Sequence, residues 1–288
     1  DYSADWPTAD RELRPGEAAE LDAYLTTRRS GGALDQFWTF AERAVERGSG
    51  RLVTLFTNLT WDTAVIGREV AFPDIRGWID AVIDAFADRP EHRLVIRVHP
   101  SEMALPGKRT RDSLSEYVQR HHPHLPSNVT VIPPDDTTSS YPLMDASDFG
   151  LVYTSTTGLE LALTGTPVIV AGATHYRGKG FTHDVSSPAE MTAALDAGLD
   201  DPTALTSDLD AARRYAHFFF FRAPVAAPGV REPLPGLARL TIDDVAALRP
   251  GVDEDVDRIC DGILDGTSFV NRSAPLETDD ATRRGRQD

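Results

Sequence analysis

The sequence predicts an α/β fold built on a doubly wound parallel sheet with flanking helices. Short runs rich in β-branched residues, typical of buried strands in parallel sheets, recur along the middle of the chain. Amphipathic helical segments separate these runs, and strands joined through such helices run parallel with right-handed crossovers. A length of 288 residues and a hydrophobic content of 41% supply enough apolar material for a large core.

The chain before the sheet, residues 1–50, is expected to form a helical lead-in. Residues 1–16 are polar and contain Pro7 and Pro15, which predicts an irregular start. Helical spacing of apolar residues predicts helix from Glu17 to Glu46, interrupted by the Ser-Gly-Gly of residues 30–32. Because the chain begins with Asp1 rather than methionine, we expect it to be part of a longer protein.

Strands and helices then alternate over residues 51–200. The predicted strands are Leu52–Phe56, Leu94–Val98, Val129–Ile132, Phe149–Tyr153 and Val168–Ala171. The predicted helices between them are Asp74–Ala87, Asp112–Arg120, Ser140–Ser147 and Leu159–Leu163. Asp74 is the residue type that caps a helix N-terminus, so we expect its carboxylate to cap the first of these helices.

The chain beyond the sheet is expected to be mainly helical over residues 201–265. Helices are predicted over Pro188–Gly198, Pro202–Phe221 and Ile242–Leu264, the last with a break near Pro250, and Pro224–Pro235 reads as a proline-rich connector. The run Phe218–Phe221 cannot face one core from a helix, so we expect part of it to contact a partner domain or subunit. Residues 266–288 have little to bury, which predicts a disordered tail.

Composition excludes several classes of function. The net charge of −16 argues against nonspecific binding to nucleic acid or to an anionic membrane surface. A single cysteine, Cys260, rules out an intrachain disulfide and a multi-cysteine metal site, which is compatible with a reducing compartment. No stretch reaches the ~20 apolar residues of a transmembrane helix. The sequence also lacks a glycine-rich dinucleotide fingerprint, a P-loop and a GxSxG turn.

The candidate site is expected beyond the carboxyl ends of the strands, where open α/β sheets bind ligands. His99 and the turn Ser155-Thr156-Thr157-Gly158 follow two of the predicted strands. An imidazole and a cluster of hydroxyls at a helix start are suited to binding a phosphate. In isolation, His99 reads equally well as a residue that ties down its loop, and the hydroxyls as a helix cap. Their placement at neighbouring strand ends favours the phosphate site.

Further polar residues lie at the same edge. Arg177 and Lys179, flanked by glycines, could add cationic donors, or they could belong to a solvated loop. Glu160 could accept hydrogen bonds from a ribose or favour the helix dipole, and Tyr141 could stack on a base or pack. Asp62 is a candidate acid or base. Asp135-Asp136 reads as a turn after two prolines, so no metal site is predicted there or elsewhere.

Four stretches together resemble bacterial capsule and surface-polysaccharide biosynthesis proteins, glycosyltransferases of the GT-B type with two Rossmann-like lobes. These stretches are FTNLTWD (56–62), LVIRVHPSE (94–102), IPPDDTTSSYPLMDASD (132–148) and YTSTTGLELALTGTPVIVAGATHYRGKGFTHD (153–184). RRYAHFFFFR (213–222) adds a weaker likeness. The His-Pro pair and the Ser/Thr turn are also similar to motifs of bacterial sialyltransferases and Kdo transferases, which use CMP-sugars.

The resemblance implies roles for the candidate residues. Donor phosphate would be bound by His99, Ser155, Thr156, Thr157, Gly158, Arg177 and Lys179. Ribose or base would be bound by Glu160, Tyr141 and Asp135, while Asn58 and His175 would face the sugar. Asp62 is the candidate catalytic base within the chain. No cofactor is expected, because the nucleotide sugar is itself the substrate.

The resemblance also implies a function for the whole chain. Residues 51–200 would be the nucleotide-sugar-binding lobe, acting on a glycan or lipid-linked acceptor with a preceding acceptor lobe. We expect a cytoplasmic protein, brought to the inner membrane through partners. Two alternatives stay open, an enzyme resembling UDP-N-acetylglucosamine 2-epimerases and a non-catalytic nucleotide-sugar-binding subunit.

Overall fold

The computed structural model of the chain describes residues 2–30, 47–104, 110–111, 113–226, 229–234 and 237–270. Within these residues the chain forms two compact units, one comprising Asp22–Arg213 together with Tyr2, and the other Ser3–Leu21 together with the residues from Arg214 onward. The domain boundaries expected at residues 50, 200 and 265 stay a prediction. The second helix of the predicted lead-in and the chain end from residue 271 lie outside the described residues.

The first unit contains a six-stranded, fully parallel sheet. Its strands are β1 Leu52–Phe56, β2 Arg93–Arg97, β3 Val129–Ile132, β4 Phe149–Val152, β5 Val168–Val170 and β6 His183–Asp184. They are ordered β3-β2-β1-β4-β5-β6, so the winding direction changes between β1 and β4. This is the order of a doubly wound Rossmann-type sheet, and it confirms the predicted fold class.

The described residues also form α-helices along the chain. They are α1 Trp6–Ala9, α2 Pro15–Arg29, α3 Ile75–Ala87, α4 Ser101–Ala104, α5 Leu114–His121, α6 Ser140–Ala146, α7 Thr157–Ala162, α8 Pro188–Asp200, α9 Leu209–His217 and α10 Glu254–Asp265. Within the described ranges, none of them combines the length and the apolarity needed to cross a bilayer.

Helix α3 shows how the pattern of apolar residues positions an element. Its buried face, which includes Trp78, Val82 and Phe86, repeats at helical spacing and packs into the core of the first unit. The Asp74 carboxylate accepts hydrogen bonds from the amides of Arg76 and Gly77 at 2.9 and 2.8 Å. Asp74 therefore caps the helix as predicted, which fixes where the long loop after β1 ends.

Two predicted elements beyond the sheet are wrong. The single helix over Pro202–Phe221 is instead a short 3-10 turn at Pro202–Ala204, helix α9, and a π-helix at Phe218–Arg222. The proline-rich connector contains the strand β7 Val230–Leu234, which forms an antiparallel hairpin with β8 Leu237–Leu240. Helical periodicity did not reveal the π-helix, because wide turns change the spacing of buried residues.

The phenylalanine run lies in the second unit. The amide of Ala223 donates to the carbonyl of Phe218 at 2.8 Å, the i to i+5 bond of a π-helix. Phe218 is buried, with its ring centroid 5.9 Å from that of Trp6, whereas the other three phenylalanines of the run are half-buried. The predicted contact of this run with a partner stays a prediction.

Candidate functional site

The loops at the carboxyl edge of the sheet are hydrogen-bonded to one another. After β1, the hydroxyl oxygen of Thr57 accepts a bond from the amide of His99 at 3.0 Å. The next residue, Asn58, accepts one from the amide of Thr154 through Oδ1 at 3.2 Å. Because β1 lies between β2 and β4, these bonds hold the His99 loop and the Ser155 turn on the two sides of the β1 end. This is the edge at which the sheet reverses direction.

His99 is held in a defined tautomer. Its Nδ1 accepts a hydrogen bond from the amide of Ser101 at 3.1 Å, so the neutral ring carries its proton on Nε2. Burial lowers the pKa of His99, the nearby Arg97 guanidinium lowers it further, and the Asp62 carboxylate opposes the shift. At pH 7 the free site therefore presents a neutral imidazole that donates through Nε2.

Arg97, which was not among the sequence candidates, organises the loop beside this histidine. Its side chain is 1% exposed and donates to the carbonyls of Pro133, Asp136 and Thr138 at 2.7, 3.2 and 3.0 Å. These bonds fix the loop after β3 while the guanidinium keeps its charge inside the protein. The signal in the sequence was a charged residue within an otherwise apolar strand.

The three hydroxyls of the turn after β4 differ in their hydrogen bonds and in their exposure. Ser155 is buried, donates to Thr157 Oγ1 at 3.0 Å and accepts a bond from the Thr157 amide at 3.3 Å. Since Thr157 Oγ1 is the acceptor, its own proton remains available to a ligand. Thr156 is exposed and its side chain does not cap the helix. The Ser155 hydroxyl is therefore used within the turn itself, and the two threonines remain candidates for phosphate binding.

Tyr176 supports this turn through a hydrogen bond, and Gly158 allows the tyrosine to approach it closely. Tyr176 is fully buried, and its hydroxyl donates to the carbonyl of Ser155 at 2.5 Å. A Cβ on Gly158 would overlap the Tyr176 hydroxyl oxygen and would lie 3.0 Å from Cγ2 of Val152. Gly158 is thus required for the close approach of helix α7 to Tyr176. Tyr176 was missed because nothing in the sequence marks which tyrosine supports a turn.

In the loop after β5, the guanidinium of Arg177 is hydrogen-bonded to other groups of the protein. Arg177 donates to the carbonyls of Val170 and Val185 at 3.2 and 2.9 Å and to the hydroxyl of Ser186 at 2.9 Å. Its guanidinium therefore joins the ends of β5 and β6, and the predicted phosphate contact would compete with these bonds. Burial lowers the pKa of Lys179, opposed by Asp184.

His175 lies in the same loop after β5, before Arg177. Burial, followed by smaller effects that include the nearby Lys179 charge, lowers the pKa of His175 to about 4. The imidazole is therefore neutral at pH 7, and its predicted contact with the sugar stays a prediction. Asn58, the other residue predicted to face the sugar, is buried and uses its side-chain oxygen to hold Thr154.

The residues predicted to bind ribose or base contact helix α2 or lie on a turn. Glu160 forms an ion pair with Arg28 at 2.8 Å, and the hydroxyl of Tyr141 donates to the Arg28 carbonyl at 3.3 Å. Burial raises the pKa of Tyr141 above its usual range, as does Glu160. Asp135 is exposed on the loop that Arg97 holds. A ribose contact at Glu160 would have to share this carboxylate with Arg28.

The carboxylate of Asp62 lies in a tight turn of the loop after β1. It accepts a hydrogen bond from the amide of Ala64 at 3.0 Å and is half-buried. Asp136 accepts bonds from the amide and hydroxyl of Thr138 at 2.7 and 2.6 Å, as expected for a turn. In the described part of the chain, no three histidine, cysteine or carboxylate side chains are grouped so as to hold a metal ion.

Comparison with known proteins shows which family has a sequence like that of this chain. A family model described as capsule polysaccharide biosynthesis protein matches residues 21–210. The solved structure of Thermosulfurimonas dismutans KpsC, a β-Kdo 2,4 transferase, is 18% identical over 71% of this chain and 56% of its own, with a TM-score of 0.48. The KpsC β-Kdo 2,7 transferase of the same organism is 15% identical over 73% of this chain and 56% of its own, with a TM-score of 0.43.

A putative UDP-N-acetylglucosamine 2-epimerase from Listeria monocytogenes is also similar, with 15% identity over 59% of this chain and 39% of its own and a TM-score of 0.39. The chain thus spans little more than half the length of the KpsC chains, 56%, and less of the epimerase. No curated protein matches the sequence.

Proposed function

The chain belongs to the family of capsule polysaccharide biosynthesis proteins, and from this premise we propose that it is the donor-binding half of a glycosyltransferase. Its substrate is a nucleotide-activated sugar, which binds at the carboxyl edge of the sheet. The acceptor is a glycan or a lipid-linked glycan of a bacterial surface polysaccharide. Family membership and the chemistry of the site support this proposal.

The observation that carries the proposal is the arrangement around the end of β1. Thr57 and Asn58 hold the His99 loop and the turn after β4 on either side of this strand, at the reversal point of the sheet. Doubly wound sheets bind nucleotides in the crevice at that point. The donors there are the Nε2–H of His99 and the hydroxyls of Thr156 and Thr157, which suit the oxygens of a phosphate.

The proposed chemistry uses these donors to stabilise the leaving nucleotide. As the glycosidic bond to the donor phosphate breaks, negative charge grows on the phosphate oxygens, and fixed donors aimed at them lower the barrier. Arg97 adds a buried positive charge close enough to affect His99, while its hydrogen bonds go to the carbonyls of the loop after β3. Asp62 is the proposed base for the acceptor hydroxyl, because its half-buried carboxylate lies in the loop after β1, at this edge of the sheet.

Calorimetric titration with CMP, CDP, UDP and GDP, each with and without EDTA, tests donor binding. We expect one of these nucleotides to bind and EDTA to leave its affinity unchanged. His99→Ala should weaken binding at pH 8 by about 1 kcal/mol, roughly five-fold, since a neutral donor is lost. His124→Ala, an exposed histidine outside the site, is the matched control. Absence of binding by every nucleotide would refute the proposal, and strict metal dependence would refute this mode of phosphate stabilisation.

The reaction is proposed to occur in the cytoplasm, with attachment to the inner membrane through partner proteins. Incubation with UDP-N-acetylglucosamine alone, without an acceptor, should leave the sugar unchanged, whereas epimerisation would assign the chain to the other enzyme class. Transfer to an acceptor by the full-length protein separates a transferase from a non-catalytic binding subunit. A subunit would bind the nucleotide and show no turnover.

A further inference from the structure

Trp61 is exposed although two nearby residues of its loop are buried. Its side chain is 46% exposed, whereas Leu59 and Val65 of the same loop are 9% and 7% exposed. The other tryptophans in the described part of the chain, Trp6 and Trp78, are 7% and 0% exposed. Among the described tryptophans, Trp61 is therefore the one whose ring a ligand at this edge of the sheet could reach.

The loop presents this ring on a rigid turn. The Asp62 amide donates to the Leu59 carbonyl at 3.1 Å, and the Val65 amide donates to the Asp62 carbonyl at 2.9 Å. The Asp62 side chain closes the turn further by accepting a bond from the Ala64 amide. With buried residues on both sides, Trp61 has little backbone freedom to lose when a ligand binds.

The indole is also oriented by a hydrogen bond that links it to the His99 loop. Nε1 of Trp61 donates to Oγ1 of the buried Thr110 at 2.9 Å. The Thr110 amide donates to the Glu102 carbonyl at 3.2 Å, and the Glu102 amide donates to the His99 carbonyl at 3.0 Å. The polar edge of the ring is therefore satisfied by the protein, while much of the ring surface remains available.

We propose that Trp61 is the platform on which the base of the bound nucleotide stacks. This inference rests on the proposed nucleotide site and adds to it the part of the ligand that the phosphate donors do not contact. Stacking on an aromatic face needs no particular base, because every base has a π-face. A rigid, pre-oriented indole provides such a face at low entropic cost.

The test compares ligands that have a base with one that lacks it. We would titrate four proteins with the best-binding nucleotide and with ribose 5-phosphate: wild type, Trp61→Ala, Trp61→Phe and Ile66→Ala. Ile66→Ala is the matched control, because Ile66 lies in the same loop and is 65% exposed. Thermal denaturation of each variant checks that it is folded. Trp61→Ala should weaken nucleotide binding roughly ten-fold or more. Trp61→Phe should retain most of the affinity, and ribose 5-phosphate should bind all four proteins equally.

Each other outcome overturns the inference in a distinguishable way. Equal nucleotide affinity of wild type and Trp61→Ala would remove the stacking role and leave the proposed function standing. An equal loss for the nucleotide and for ribose 5-phosphate would show that Trp61 only shapes the loop. A loss confined to the nucleotide sugar, with the free nucleotide unaffected, would show that the ring contacts the sugar instead. If wild type binds no nucleotide, both the inference and the proposed function fail.

Discussion

Replacing Gly158 by alanine should destabilise the protein chiefly through the hydroxyl oxygen of Tyr176. The added Cβ would overlap that oxygen, which donates to the Ser155 carbonyl inside the protein. Overpacking of this kind costs about 1–3 kcal/mol, and losing the buried hydrogen bond costs about 1–3 kcal/mol. The gain of helix propensity from glycine to alanine returns at most about 1 kcal/mol. We expect a net loss of about 1–5 kcal/mol.

A double-mutant cycle isolates the contact. Tyr176→Phe removes the hydroxyl oxygen that the new Cβ would meet, so the double variant Gly158→Ala/Tyr176→Phe should be destabilised by less than the sum of the single variants, with a coupling of about 1 kcal/mol or more. Urea denaturation followed by circular dichroism gives the free energies. Gly77→Ala is the matched control, because its Cβ would meet only an Asp74 oxygen at 3.7 Å and it lies in helix α3. It should be neutral or stabilising.

Strict additivity of Gly158→Ala and Tyr176→Phe would refute the close-approach argument. A Gly158→Ala variant as stable as Gly77→Ala would refute it as well. A second readout follows from the position of Ser155 in the phosphate turn: Gly158→Ala should weaken nucleotide binding at temperatures where the variant is fully folded, whereas Gly77→Ala should leave it unchanged.

Two further predictions concern pH. The free His99 has a lowered pKa, and a bound phosphate would raise that pKa, so binding takes up a proton. Affinity for a nucleotide sugar should therefore rise as pH falls from 8 to 6, at most ~ten-fold per pH unit. Calorimetry should show this slope in wild type and a flat profile in His99→Ala, and an unchanged slope in the variant would contradict the role of His99. The hydrogen bond from Arg11 is the main cause that lowers the pKa of Glu17 to about 2. The ionised Glu17 therefore stabilises the fold above pH 4.5, and this contribution is lost as pH falls towards 2. Glu17→Gln should lower the free energy of unfolding at pH 7 and flatten its dependence on pH in that window, and an unaltered acid profile would contradict the ion pair.

The sheet was predictable because its strands are marked locally. Runs such as Leu52–Phe56 and Val168–Val170 are mostly apolar, fully buried and separated by amphipathic helices, so composition and order determine a doubly wound sheet. Strand β6, His183–Asp184, was not predicted because two polar residues carry no periodicity. It forms only where the neighbouring β5 offers unpaired backbone groups.

The site was predictable in position but less so in the use of each side chain. His99 and the Ser155 turn follow strands, and parallel strands bring their ends to one edge whatever the intervening sequence. Whether a cation at that edge faces the ligand depends instead on which carbonyls of the protein lack donors. Arg177 satisfies the ends of β5 and β6, and Arg28 reaches Glu160 from 132 residues away. Such pairings arise from the tertiary fold, so a local pattern of glycines and charges predicts a basic loop without predicting its partner.

The same reasoning explains why buried Arg97 matters to the proposed chemistry although it contacts only carbonyls. An arginine in a strand would be costly to bury, and the three carbonyls of the loop after β3 reduce that cost without neutralising its charge. Burial is the main cause of the lowered pKa of His99 in the free site, and the remaining positive field of Arg97 lowers this pKa further. When a phosphate arrives, that same field favours the anion, so one buried charge both helps to keep the empty imidazole neutral and strengthens the site for its ligand.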